Sequence, residues 1–138
     1  MFITNYGGFT PDSWEETCQL VFKIAYKDEG YQKMPDANGD LGIEGFTLKS
    51  GKAFQCYCPE ENLKGKELYT ALRGKITKDI AKLEKNCTEF KKVFGDLKIS
   101  EWYLVTPKSA DKKIFSHCRN KEKELLNKNL DIISNDFK

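Results

Sequence analysis

The sequence predicts an α/β fold in which helices flank a mixed sheet, in the order helix, strand, strand, helix, strand, helix. Apolar residues spaced three or four apart predict a helix after residue 13 and a longer one from Leu63 to about Lys85. Two short apolar segments on either side of Ser50-Gly51, a turn signal, predict a hairpin of strands from about Gly42 to Cys58. The run 99–106, rich in aromatic and β-branched residues, predicts the third strand.

Length and composition suit one domain, 1–138, which can bury one sizeable core. We expect this core at about 11–107 and a C-terminal helical segment at about 111–138. No apolar run is long enough to cross a membrane, and no secretory signal is expected at the N-terminus. The five cysteines have no framework spacing, which predicts a reducing, cytoplasmic location. A net charge of +2 excludes a strongly basic nucleic-acid coat, although lysines bunch locally.

The first helix is predicted to begin at Ser13, because Ser13 and Glu16 have the spacing of a capping box. It is expected to end near Gly30, since glycine commonly follows the last turn of a helix. Glu15 lies in the first turn. It is either an ordinary acid favoured by the helix dipole or part of a functional site.

A short strand within Tyr31–Met34 is left open, and the predicted hairpin follows it. Asp40 lies at the mouth of the first hairpin strand and Gln55 lies inside the second. A carboxylate and an amide oxygen on neighbouring strands can share Mg²⁺ or Mn²⁺, which prefer oxygen ligands. The alternative is that Gly39 and Gly42 shape a tight turn that Asp40 caps.

The later elements carry fewer signals of function. Asn86 to Gly95 is predicted as a helix end and a loop, and Trp102–Val105 as a central strand covered on both faces. A polar helix is predicted from about residue 111 or 116 to 130. His117, the only histidine, is interpreted as a surface or half-buried residue.

One run of residues carries a family resemblance. Gly39-Asp40-Leu41-Gly42-Ile43-Glu44-Gly45, with Phe54-Gln55-Cys56 after it, resembles the core of Mrr-type restriction endonucleases of the PD-(D/E)XK nuclease superfamily. With Trp14-Glu15-Glu16, these segments resemble nuclease-like domains of bacterial anti-phage defence systems. The resemblance covers roughly residues 11–107.

The resemblance implies a restriction-endonuclease-like three-layer core and metal-dependent hydrolysis of nucleic-acid phosphodiesters, with DNA as the expected substrate. Asp40, Gln55 and the backbone carbonyl of Cys56 would hold Mg²⁺ or Mn²⁺. Glu15 or Glu44 would complete the shell, directly or through water. Expected partners are nucleic acid and other defence-system subunits or domains, not a membrane, and a homo-oligomer is left open. The family adds a strand after its last helix. We therefore expect the chain to be either a domain cut from a longer protein or a short stand-alone form whose sheet a partner completes.

The family's active-site lysine, two residues after the glutamine, is replaced here by Tyr57. A neutral phenol supplies no positive charge. Lys75, which borders the apolar stripe of the long helix, is the best placed cation to stand in for it, although an ordinary surface pair with Asp79 is the alternative. Two rival functions remain: a nuclease-derived module for nucleic-acid binding or complex assembly without catalysis, and a small α/β domain with no nucleic-acid role.

Overall fold

The computed structural model describes residues 1–35 and 41–138. Within these ranges the strands are β1 (Phe2–Thr4), β2 (Gly7–Phe9), β3 (Tyr31–Lys33), β4 (Gly45–Thr47), β5 (Lys52–Cys56) and β6 (Glu101–Val105). The α-helices are α1 (Pro11–Ala25), α2 (Gly65–Lys85), α3 (Cys87–Phe94) and α4 (Lys113–Asn127), and a short 3-10 helix spans Lys27–Glu29.

Four of the strands form a mixed sheet in the order β3-β4-β5-β6. The first two pairings are antiparallel, and β5 pairs with β6 in parallel, with Gln55 opposite Leu104. Helices α2 and α3 form the crossover between these two parallel strands. The α/β class, the mixed sheet and the Gly42–Cys58 hairpin are therefore confirmed, and the strand left open at residue 31 is present as β3.

The predicted order differs from the observed one in three places. A separate hairpin, β1–β2, precedes α1 in residues that show no strand pattern because the strands are only three residues long. The segment predicted as a helix end and loop is instead α3, whose Phe90 is fully buried against Phe46 of β4. The sheet also has three consecutive strands between α1 and α2, not two.

Helices cover both faces of the sheet. On one face, α1 packs Cys18 and Phe22 against Phe54 and Cys56 of β5. The rings of Phe22 and Phe54 are stacked, with their centroids 4.5 Å apart. On the other face lies the main core, to which α2 contributes the predicted apolar stripe in full: Leu68, Leu72, Ile76, Ile80 and Leu83. The fold is thus built in three layers, with one helix above the sheet and the remaining α-helices below it.

Helix α1 begins earlier than predicted. Its N-cap is Thr10, whose hydroxyl accepts a hydrogen bond from the Ser13 amide (3.1 Å), and the Ser13 hydroxyl accepts one from the Thr10 amide (2.8 Å). Ser13 therefore takes the third helical position of a capping box, not the cap itself. The prediction relied on the Ser13–Glu16 spacing and did not take into account that Pro11 is well suited to the first helical position, where no amide hydrogen is needed.

The prediction that β6 is a central strand was wrong. It is last in the sheet order, and Trp102 is half-buried. Its outer side is covered by the chain's own C-terminal residues, since the Trp102 amide donates to the Lys138 carbonyl and the Lys138 amide donates to the Ser100 carbonyl, both at 3.0 Å. This cover explains why an edge strand has the apolar composition of an inner one.

The loop before β4 is fixed against α2. Gly42 has φ 84°, and a Cβ added there would lie 2.5 Å from the backbone oxygen of Asp79 and 2.9 Å from the backbone nitrogen of Leu83. The Gly42 carbonyl also accepts a hydrogen bond from the Trp102 indole at 3.1 Å. Glycine is required at this position because both the backbone angle and the close approach of the helix exclude a side chain.

Candidate active site

The candidate site lies at the edge of the sheet where the parallel strands β5 and β6 end. Beyond β5, the Tyr57 amide still donates to the carbonyl of Val105, the last residue of β6, at 3.0 Å. Because β4 is antiparallel to β5, with Gly45 opposite Phe54, the residues that precede β4 reach this same edge. The Gly-Ile-Glu part of the resemblance and the Gln-Cys-Tyr part are thereby brought together.

Glu44 is the acid that the structure places at this junction. Its Oε2 accepts a hydrogen bond from the Cys56 amide at 2.8 Å, and its own amide donates to the Phe54 carbonyl at 2.7 Å. Its carbonyl accepts a hydrogen bond from the amide of Met34 (2.9 Å) and from Nε2 of Gln19 in α1 (3.4 Å). The backbone of Glu44 is therefore held from three directions, and its carboxyl group is held against the end of β5.

The environment of Glu44 favours its neutral form. The pKa of its carboxyl group is raised to about 7, chiefly by burial and also by the negative charge of Glu15 on α1, while the Cys56 amide and Lys75 on α2 act in the opposite direction. Two carboxylates that oppose each other's ionisation, beside a lysine, form the kind of cluster in which a bound cation is stabilising. Of the predicted site residues, Glu15, Glu44, Cys56 and Lys75 are brought together here.

Lys75 turns towards the sheet. Its Nζ lies 3.0 Å from Oδ2 of Asp79 and 5.8 Å from the centre of the Tyr57 ring. The predicted pairing of Lys75 with Asp79 is present, but it is not an ordinary surface pair, because the Asp79 side chain is 0% exposed and that of Lys75 is 23% exposed. Burial raises the pKa of Tyr57, and Lys75 partly offsets this rise. A cation therefore lies beside Tyr57 at the end of β5.

Gln55 is fully buried, with a relative exposure of 0%, and its side-chain amide forms no hydrogen bond within the described ranges. Strand alternation directs it and Tyr57 to the α2 side, while Phe54 and Cys56 contact α1. An amide buried in this way is destabilising unless something binds it. Its oxygen is a donor of the type that Mg²⁺ and Mn²⁺ accept.

Two predicted ligands within the described residues, Glu44 and Gln55, offer side-chain oxygens to a metal ion. Residues 1–35 and 41–138 contain no group of three or more His, Cys, Asp or Glu side chains arranged to hold one. Asp40, the first predicted ligand, lies outside the described residues. The oxygens of Glu44 and Gln55 nevertheless fit a hard cation in their chemistry. Gln55 directly precedes the Cys56 amide, and the Glu44 carboxylate accepts a hydrogen bond from that amide.

One contact in the site joins two cysteines and was not predicted from the sequence. The thiol of Cys18 on α1 lies against that of Cys56, and their hydrogen bond lowers the pKa of Cys18 and raises that of Cys56. In the sequence, Trp14, Cys18 and Phe22 have helical spacing, which indicates that Cys18 lies on the core face but does not show what it contacts. The cysteines of the chain are free thiols.

The β1–β2 hairpin is anchored at the same edge of the sheet. The N-terminal amine donates to the Glu60 carbonyl at 2.6 Å, and the Ile3 amide donates to Oδ1 of Asn62 at 2.6 Å. Phe9 packs edge-to-face on Trp14, with ring centres 5.0 Å apart. The hairpin therefore borders the candidate site. His117, interpreted from the sequence as a surface or half-buried residue, lies elsewhere and is instead buried between α2 and α4, with Nε2 3.1 Å from the Thr77 hydroxyl.

Comparisons with protein families, with curated proteins and with solved structures find no match to this chain. Among the described residues, no helix combines the length and apolar character needed to span a membrane. The observed geometry therefore carries the functional argument.

Proposed function

We propose that this chain is a metal-dependent nuclease domain with a restriction-endonuclease-like core, which hydrolyses nucleic-acid phosphodiesters and has DNA as its main substrate. The observation that carries the proposal is the convergence on Glu44 of three elements: the end of β5 through the Cys56 amide, α1 through Glu15, and α2 through Lys75. A cytoplasmic location and a role in anti-phage defence, beside other subunits or domains, belong to the same proposal.

The topology supports it. A helix that carries a glutamate is followed by the Gly-Ile-Glu-Gly run, then by a strand that carries Gln55, then by a helical crossover to a parallel strand. This is the order that the resemblance to Mrr-type nucleases implies. Fold-level likeness is weak evidence for activity by itself, so the proposal depends on the residues at the end of β5.

The residues of the site divide the chemistry among them. When bound, Mg²⁺ would supply a water of lowered pKa and offset the charge of the phosphate. Glu44 and Gln55 would hold it, with the Cys56 carbonyl and, as predicted, Asp40. Glu15 lies close enough to act on the charge of Glu44, and so would bind through water or complete the shell.

On the α2 side of the sheet, Lys75 would supply the positive charge that Tyr57 lacks. The buried carboxylate of Asp79 fixes its ammonium group at 3.0 Å, so the cation is preorganised beside the phenol. The Tyr57 hydroxyl can donate a hydrogen bond to a phosphate oxygen but adds no charge. In this arrangement the helix replaces the strand as the source of the cation.

The test is cleavage of supercoiled plasmid and of labelled single-stranded and duplex oligonucleotides with Mg²⁺ or Mn²⁺. Glu44→Gln should lower the cleavage rate by at least about 100-fold, the size of effect seen when one electrostatic group is removed from an active site. Glu29→Gln is the matched control, because Glu29 lies at the opposite end of the sheet in an ion pair with Lys52. Equal cleavage by wild type and Glu44→Gln would contradict the proposal.

The second candidate is a nuclease-derived module that binds nucleic acid or anchors a complex without catalysis. The observation that favours it is Tyr57, at the position where the family has its lysine. Wild-type protein that binds nucleic acid but cleaves no substrate with either metal would support the module and reject the enzyme.

A further inference from the structure

A groove lies beside the candidate site, between the N-terminal hairpin and the segment that follows β6. Residues 2–6 form one wall, Pro107 and Lys108 form the other, and the space is about 380 Å³. This volume is within the range of about 300–1,000 Å³ that is typical of small-ligand pockets. Because β5 and β6 are parallel, residues 107 and 108 leave the sheet at the edge where Glu44 meets Cys56.

Tyr6 stands at the tip of the hairpin and is 94% exposed, the most exposed of the large hydrophobic side chains described. The turn beneath it is closed by Thr4, whose hydroxyl donates to the Gly7 carbonyl (2.9 Å) and accepts from the Tyr6 amide (3.1 Å). The base of the hairpin is tied to Glu60 and Asn62, just beyond β5. A fully exposed aromatic ring on an anchored turn is a flat apolar surface that packs on nothing in the described fold.

The chemistry of this groove fits one kind of ligand. A phenol ring offers a stacking face to any nucleobase, and stacking of this kind tolerates all base types. Lys108 adds one positive charge on the facing wall, and phosphate contacts from lysine need no defined base sequence. A base can stack on Tyr6 only if it is unpaired, because a base inside a duplex already stacks on its neighbours.

We infer that the groove between the hairpin and Lys108 is a subsite for one nucleotide of a single-stranded nucleic acid, with the base stacked on Tyr6 and a phosphate on Lys108. The inference rests on the proposed function in that the bound strand would continue into the candidate active site. It adds a substrate class to that function: unpaired strands or frayed ends are held at the groove, and an intact duplex is not.

Binding can be measured apart from cleavage, so the two proposals can fail separately. The experiment is fluorescence anisotropy of a labelled oligothymidylate of about 12 nucleotides, within the usual single-strand site sizes, in EDTA. Tyr6→Ala should weaken binding about 5- to 150-fold, as expected for the loss of one base stack, while Tyr6→Phe keeps the ring and the affinity. Both variants should have the circular dichroism spectrum of the wild type, because an exposed side chain contributes little to stability.

Lys108 has its own readout. Lys108→Ala should reduce the slope of log affinity against log salt by about 0.7, the value for one phosphate of a single strand, and Lys108→Arg should restore it. Lys49, in the turn at the opposite end of the sheet, and Phe115, an aromatic residue on α4 that is 63% exposed, are the matched controls. Neither Lys49→Ala nor Phe115→Ala should change the affinity or the slope.

Three results would overturn the inference: Tyr6→Ala that binds as tightly as wild type, wild type that binds duplex as tightly as the single strand, or wild type that binds neither. Loss of binding in Tyr6→Ala, with wild-type protein that never cleaves, would support the subsite and reject the nuclease. Cleavage by wild type with unchanged binding by Tyr6→Ala would do the reverse.

Discussion

A glutamate contacts each end of strand β5, and the two glutamates are in opposite electrostatic environments. At its amino end, Lys52 forms an ion pair with Glu29 at 2.8 Å, and Glu29 also accepts a hydrogen bond from the Ser50 hydroxyl at 2.6 Å. These contacts lower the pKa of Glu29, with Lys52 as the main cause. Thr47 completes the network by accepting from the Lys52 amide at 2.8 Å. Every partner of this glutamate stabilises its charged form.

At the carboxyl end, Glu44 experiences the reverse. Burial and Glu15 raise its pKa, and Gln55, one residue before the amide that Glu44 accepts from, has no hydrogen-bond partner in the described part of the chain. At the amino end the polar side chains pair with one another. At the carboxyl end two carboxylates repel each other and a buried amide is unsatisfied. Such a difference within one strand is what separates a structural end from a site that awaits a ligand.

The largest effect that would sharpen this comparison concerns Lys75. Lys75→Ala should lower cleavage about 100-fold, because it removes the only cation that contacts Tyr57 in the described ranges. It would also remove the ion pair between Lys75 and the buried Asp79, so the double variant Lys75→Met/Asp79→Asn should be assayed with it. Both are expected to lose cleavage, and only the single variant should lose several kcal/mol of stability.

Lys78, an exposed residue on the outer face of α2, is the control. Lys78→Ala should cleave nearly as well as wild type, and Tyr57→Lys, which restores the family pattern, should preserve or raise activity. A Lys75→Ala protein with wild-type cleavage rates would show that α2 does not supply the charge.

The second effect is a pH dependence of stability. The pKa of Glu44 is about 7 in the fold and 4.5 ordinarily, so the folded state binds the proton more tightly. The free energy of unfolding should therefore fall as pH rises from about 4.5 to about 7, by up to roughly 2–3 kcal/mol. Denaturant titrations in EDTA measure this loss.

Glu44→Gln should remove that fall and leave other contributions in place. The contribution of His117 to the free energy of unfolding changes with pH in the opposite direction. Burial lowers the pKa of its imidazole, so this contribution is lost as pH falls. Subtracting the variant's profile from the wild-type profile isolates Glu44. Mn²⁺ should raise the melting temperature more at pH 8 than at pH 5, since it binds the ionised carboxylate. Equal profiles in wild type and variant would show that Glu44 is not desolvated.

The third effect is on stability without metal. Gln55→Leu should raise the free energy of unfolding by about 1–2 kcal/mol, because it replaces an unsatisfied buried amide with an apolar group. It should also abolish the melting shift caused by Mn²⁺. Gln19→Leu is the matched control: Gln19 is also buried but accepts a hydrogen bond from the Tyr31 hydroxyl at 2.6 Å, so its loss should destabilise the fold. If both variants lose stability, Gln55 has a structural partner.

The smallest effect is expected at the amino end of β5. Glu29→Gln should lower the melting temperature slightly, and the loss should shrink with added salt, because exposed ion pairs are weak and screened. Cleavage and metal response should not change. A loss of cleavage in Glu29→Gln would remove the distinction between the two ends of the strand.

The elements marked by a periodic apolar pattern or a turn signal were predictable. The features that depend on contacts between residues far apart in the chain were not. Spacing gave α2 and its stripe, and the Ser50-Gly51 turn gave the hairpin of β4 and β5. The edge position of β6 was not predictable, because its cover comes from Lys138, far along the chain. The α3 segment was missed because one buried side chain, Phe90, anchors a helix of only eight residues.

The same holds for the candidate site. The resemblance named Glu44, Gln55 and Cys56, and the spacing named Lys75 with Asp79. Sequence alone could not give the burial of Asp79, which depends on how the loop at Gly42 packs on α2. Nor could it show that Glu44 meets the end of β5, because its contact with the Cys56 amide and the influence of Glu15 arise from separate elements.

The close approach at Gly42 has a consequence for how the protein is made. The loop that carries Glu44 is held by α2 and by the Trp102 indole, 60 residues further along the chain. Contacts between such distant residues form late, after the intervening chain has closed its loops. During synthesis from the N-terminus, Glu15 and Glu44 leave the ribosome long before Trp102. A nascent chain would therefore lack an assembled site, and any nuclease activity would arise only with the finished fold.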